Sequence, residues 1–134
     1  IKHKVMRKYI SVKPEVIGSL AKKYGITRRA VWMALSFLTK NERGHNIRKD
    51  AIAMGGRYME ENFIPNCQTE FLADGMHQRF AAGVEVVMRG STMSLIVPGM
   101  EPENYTDVDL HSWGNVLERA QAISEEKMFE SINK

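Results

Sequence analysis

Between Pro14 and Leu38 the apolar residues of this chain fall into two helical stripes with a glycine between them. Val16, Ile17, Leu20, Ala21 and Tyr24 recur at the spacing of one helix face. Pro14 suits the start of that helix, because the first turn has no use for its missing N–H. Gly25 suits its end, where the backbone turns left-handed and a side chain is disfavoured. Thr27 stands where a hydroxyl caps a following helix, and Ala30, Val31, Ala34, Leu35 and Leu38 supply the second stripe. Two short apolar faces joined so tightly must bury against each other. The spacing therefore predicts a helix-turn-helix over about Pro14–Thr39. Ala21 is the small residue at the helix crossing, and Leu20, Tyr24, Ile26, Val31, Ala34 and Leu35 hold the pair together.

Charge divides the chain. Residues 1–65 hold 14 Lys/Arg against 5 Asp/Glu, and residues 66–134 hold 5 against 11, so the net charge of +3 conceals a basic front and an acidic back. A basic front is built to approach a polyanion, which would repel the back. No apolar run nears the roughly 18 residues of a membrane span, so no membrane partner is expected. The start, Ile1-Lys2-His3-Lys4, has no apolar stretch of a secretion signal. The single cysteine, Cys67, forms no internal disulfide and suits a reducing cytoplasm.

Outside the first window, Lys2–Lys13 reads as a basic arm, helix or strand. Asn41–Gly44 reads as a loop and Asn46–Met54 as a third helix stopped by Gly55-Gly56. Arg57–Asn62 reads as one further turn before a boundary at Pro65-Asn66. Beyond it, Val84–Met88 and Met93–Val97 are β-rich with turn chemistry between them, hence a hairpin. Gln78–Gly83 extends its first strand with a possible bulge, and Thr69–Ala73 adds a strand turning at Asp74-Gly75. Pro98–Asp109 reads as a loop. A last helix, capped by Asp109 or Ser112, runs to about Ile132 with Trp113, Val116, Leu117, Ala120 and Ile123 on one face. The expected fold is α+β, an N-terminal helical helix-turn-helix domain (residues 1–65) followed by a small β-hairpin-plus-helix module (residues 66–134).

The run Leu20-Ala21-Lys22-Lys23-Tyr24-Gly25-Ile26-Thr27-Arg28-Arg29-Ala30-Val31 resembles the headpiece helix-turn-helix of lactose-repressor-type regulators and of phage repressors. The likeness continues through Ile47–Ile52, which is similar to the third headpiece helix, and covers about Val12 to Tyr58. No sugar-binding domain follows, so no inducer is implied. By this resemblance and by geometry, Arg28, Arg29 and Met33 reach base edges in the major groove, where arginine bonds guanine in bidentate fashion. Lys22, Lys23, Thr27, Arg48 and Lys49 contact phosphates, joined by Arg43, Arg57 and the Lys2–Lys13 arm; Thr27 does so from a helix start that favours an anion. Trp32 and Ser36 stand between base contact and core edge.

The implied partner is double-stranded DNA. The acidic half is expected to form a homodimer on two half-sites, or to recruit a protein partner. No metal, cofactor or catalytic residue is expected. His3, His45, His77 and His111 lack ligand spacing, and no phosphate loop or nucleophile elbow occurs. A sequence-specific transcriptional regulator is the leading expectation. A phage or mobile-element DNA-recognition or packaging adaptor, and an RNA-binding protein, are the alternatives.

Overall fold

A computed structural model of the chain describes residues 4–132. Strand β1 (Val5–Ser11) comes first, then helices α1 (Pro14–Tyr24), α2 (Arg28–Leu35) and α3 (Glu42–Ala53), and then strand β2 (Arg57–Phe63), which pairs with β1. Five strands follow: β3 (Gln68–Leu72), β4 (Gly75–Arg79), β5 (Glu85–Arg89), β6 (Thr92–Ile96) and β7 (Glu103–Tyr105). Helix α4 (Leu110–Ile132) is the last element. Arg7–Glu61 forms one compact unit. The start of β1 through Met6 and the chain from Asn62 onward form the other.

This order overturns the expected α+β arrangement of a helical domain followed by a β-hairpin-plus-helix module. The chain is strand-first, its three helices lie between β1 and β2, and the hairpin is part of a five-stranded sheet. Basic residues interleaved along β1 mask its period. Arg57–Asn62, expected as a turn of helix, belongs to β2. The backbone forces that change of direction at Gly56, whose N–H donates to the Ala51 carbonyl at 2.8 Å. A Cβ there would lie 2.7 Å from that oxygen and 3.0 Å from both Ile10 and Val12, so only glycine fits without displacement.

Within the helical unit the local signals act as their chemistry requires. Pro14 occupies the first turn of α1, and Gly25 ends it at φ 62° with its N–H turned to the Ala21 and Lys22 carbonyls. The Thr27 hydroxyl accepts the Ala30 N–H at 3.0 Å and starts α2. Helix α2 stops before Leu38, because Phe37 turns left-handed at φ 60°. The N–H of Leu38 then reaches the Met33 carbonyl at 2.8 Å, and that of Phe37 reaches Ala34 at 3.1 Å. This is a Schellman ending with phenylalanine where glycine is usual. Helix α3 starts earlier than expected, since the Asn41 side chain accepts the Gly44 N–H at 2.9 Å. Ile10, Leu20, Val31, Ala34, Leu35, Ile47 and Ala51 make the core. Each large aliphatic side chain among them contributes about 1.5–3 kcal/mol by burial.

In the other unit, β3 to β7 form an antiparallel meander in chain order. The hairpin expected over Val84–Val97 is β5–β6, with Val86 opposite Leu95 and Met88 opposite Met93. Gln78–Gly83 does not extend β5: β4 ends at Arg79, and a single 3-10 turn at Ala81–Gly83 leads into the next strand. The stretch expected as a loop after Pro98 contains β7. Asp109 caps α4 by accepting the Ser112 N–H at 2.9 Å, and the Ser112 hydroxyl accepts the Asp109 N–H at 2.9 Å, a reciprocal box. Helix α4 packs on the sheet face that carries Gln78 and Glu103. Trp113 Nε1 donates to Gln78 at 2.9 Å, and Arg119 clamps both carboxylate oxygens of Glu103 at 2.9 Å. Val116, Leu117 and Ala120 are fully buried there.

Candidate nucleic-acid interface

The three-residue turn Gly25-Ile26-Thr27 delivers the chain into α2 with Thr27 and Arg28 exposed at its start. The Arg28 guanidinium lies back along α1, with Nη2 3.4 Å from the Pro14 carbonyl. That contact is long for a hydrogen bond, so it orients the side chain without committing it. Arg29, Trp32 and Met33 are half-buried, and Ser36 is buried. The α2 surface therefore opens on Thr27 and Arg28 and becomes progressively shielded beyond them.

The residues expected at phosphates divide into two kinds. Lys22, Lys49, Arg43 and Arg57 are exposed. Lys23 is also exposed, but its Nζ donates to Asp50 at 2.8 Å, and the Tyr24 hydroxyl donates to the same oxygen at 2.5 Å. These bonds hold the Asp50 carboxyl below its ordinary range, Lys23 being the larger cause. They fasten the end of α1 to α3 across 26–27 residues of chain.

Arg48 is half-buried, and its Nη1 donates to the Ala34 carbonyl at 2.9 Å and the Thr39 carbonyl at 2.7 Å. It thereby ties α3 to the last turn of α2, where the Ala34 carbonyl also accepts the Phe37 N–H, and to the segment that follows at Thr39. Burial lowers its pKa from the ordinary arginine value. Of the basic arm, Lys2 lies outside the described residues. Lys4, Arg7, Lys8 and Lys13 are described, and Arg7 is taken up within its own unit: it pairs with Glu61 at 3.4 Å and stacks on Tyr9 at 4.0 Å.

A second feature was not anticipated from the sequence. His45, Arg48, Lys49 and Ile52 form the outer stripe of α3, beside its core stripe of Gly44, Ile47 and Ala51. The outer stripe borders a cleft of about 420 Å³ with Ile10 and Phe37. Lys8 Nζ and the Arg48 guanidinium each lie 4.8 Å from the Phe37 ring centre, and Tyr58 meets that ring edge-on at 6.0 Å. The i, i+3, i+4, i+7 spacing of the stripe was the available sequence signal.

In the other unit, charges alternate in sign along one face of the sheet. Glu70 pairs with Arg79, Arg79 with Glu85, Glu85 with His77, His77 with Asp74 at 2.8 Å, and Asp74 with Arg89 at 3.1 Å. His77 thus bridges two carboxylates, Glu85 and Asp74. Hydrogen bonds to Glu85 first, and then Asp74, raise the His77 pKa above the ordinary imidazole value. Among the described residues, no group of three or more His, Cys, Asp or Glu is placed to hold a metal ion. No described helix is long and apolar enough to cross a membrane. Comparison with known protein families, curated proteins and solved structures found no match to this chain.

Proposed function

We propose that this chain is a sequence-specific double-stranded-DNA-binding protein, a transcriptional regulator working in the cytoplasm as a homodimer. The observation that carries the reading is the start of α2. A threonine-capped helix exposes Arg28 in its first turn, inside a unit (Arg7–Glu61) with 12 Lys/Arg against 5 Asp/Glu. A helix start of this kind favours a phosphate, and an arginine just inside it suits a guanine edge. Arg28, Arg29 and Met33 are the proposed reading surface, with Thr27, Lys22 and Lys49 on phosphates. Arg48 and Lys23 serve the unit's own structure.

Support for a dimer lies in the sheet unit. Strand β3 is an outer strand exposed along its whole length, and Phe71 on it is 79% exposed. An uncovered outer strand carrying exposed Phe71 and Leu72 suits pairing with a second copy. One helix-turn-helix reads few base pairs, so two copies on two half-sites supply the missing affinity.

Selection of bound sites from random duplex DNA tests the reading. A palindromic motif with half-sites about 10 base pairs apart is the expected result. Absence of any enriched motif overturns sequence-specific binding. Arg28→Ala is expected to weaken cognate binding more than random binding. Lys22→Ala should weaken both alike and reduce the salt slope by about 0.9.

A further inference from the structure

The cleft along the outer stripe of α3 combines two properties that a phosphate backbone does not require together. Its wall carries the exposed Lys49, with the His45 ring and the already engaged Arg48 beside it, and no acidic side chain lines it. Its floor is apolar: Ile10 is buried beneath, Ile52 remains 47% exposed at the rim, and the Phe37 ring projects from the end of α2. A simple anion would leave that floor wet, and a neutral apolar molecule would leave the Lys49 ammonium at the wall unused. At about 420 Å³ the cleft has the volume of a site for a small organic ligand.

The backbone at Phe37 points the same way. A left-handed residue closing a helix is ordinarily glycine, because any Cβ there is disfavoured. Here the chain keeps phenylalanine at φ 60°. Such strain persists only where the surroundings hold it, and it gathers at sites of function. The ring is held by Lys8 on β1, Arg48 on α3 and Tyr58 on β2, so all three elements fix the position of the cleft's apolar end.

We infer that this cleft binds a small organic anion, a flat apolar body bearing one phosphate or carboxylate, with Lys49 meeting the charge and Ile10, Ile52 and the Phe37 edge covering the body. The site lies within Arg7–Glu61 and shares only Lys49 with the proposed DNA surface, and binding of a small anion there does not require the start of α2 to read DNA.

Phenyl phosphate is the probe, titrated into the full chain while amide ¹H–¹⁵N shifts are followed by NMR. The expected result is saturable shifts centred on Phe37, His45, Lys49 and Ile52, with Kd on the order of 1 mM, the scale for so small a ligand. Inorganic phosphate, which lacks the ring, should bind at least about tenfold more weakly if the apolar floor contributes. Ile52→Glu places a carboxylate on the rim without touching the core and should weaken phenyl phosphate by at least about tenfold. Unchanged far-UV circular dichroism and thermal midpoint establish that this variant folds, and Lys49→Glu serves the same purpose if it does not. The inference is overturned by shifts that do not saturate by about 20 mM, a concentration far above the expected Kd. Shifts centred elsewhere, equal affinity for inorganic phosphate, or undiminished binding by the folded variant also overturn it.

Discussion

The Arg28 guanidinium rests against the first turn of α1, 3.4 Å from the Pro14 carbonyl and beside Gly18. A Cβ at Gly18 would come 3.1 Å from Arg28 Nη1, which is the far end of a flexible side chain. Gly18→Ala is therefore expected to stabilise the unit by up to about 1 kcal/mol, the helix-propensity gain, while shifting Arg28 off α1. Urea denaturation reads the stability. A loss of stability would mean that Arg28 is fixed in place and unable to turn toward a ligand.

Arg48 and Lys49 are neighbours in sequence with opposite expected consequences. Arg48→Ala removes the guanidinium donor from the Thr39 carbonyl and from the Ala34 carbonyl, which keeps the Phe37 N–H, and should cost about 1–3 kcal/mol. Lys49→Ala, on an exposed side chain, should change stability by less than about 0.5 kcal/mol. Equal effects of the two substitutions on denaturant midpoints would contradict the structural role of Arg48.

His77 makes the sheet unit sensitive to pH. Its raised folded pKa means that its contribution is complete below the unfolded value of about 6.5 and is lost as pH rises through the folded value. Asp74 is lowered, by His77 first and then Arg89, so its contribution is present above the ordinary carboxylate value and lost on acidification. The unfolding midpoint is expected to fall as pH rises above about 6.5, and His77→Gln should remove that decline. Persistence of the decline in the variant would assign it to another group.

Phe71→Glu tests the proposed pairing edge. At 79% exposure the side chain contributes little to the monomer's own core, so melting of a monomer should hardly change. Sedimentation of the parent chain should show a dimer at tens of micromolar, about the range where a modest interface is populated, and the variant a monomer. A parent chain that sediments as a monomer would remove the dimer from the proposed function.

Legibility in the sequence followed how local each cause is. Pro14, Gly25 and Thr27 act within a few residues, so the bounds of α1 and the start of α2 could be read directly. The β5–β6 hairpin was visible because both strands are apolar around a short turn. Strand β2 was not visible: Glu60, Glu61 and Asn62 are exposed, and only Met59 and Phe63 carry any burial signal. Strand β7 has three residues and follows two prolines, too little for a period to emerge. At the candidate site, exposed Arg28 was legible from its place beside a cap. The engagement of Lys23 by Asp50 and of Arg48 by two carbonyls was not, because those partners lie 9 to 27 residues away and backbone carbonyls leave no mark in a sequence. Nothing in the sequence around Phe37 marks its left-handed backbone, which only the fold reveals.

Because β1 and β2 pair with each other, the chain enters and leaves the three-helix segment through adjacent strands. A segment whose two ends are neighbours behaves as a cassette. It can be exchanged for another of similar span without lengthening the path of the flanking chain, and its ends can be joined by a short linker to give a circular permutant. Evolution and design would thus have the same entry point: the helices could be replaced between two fixed strands while the sheet unit is carried over unchanged.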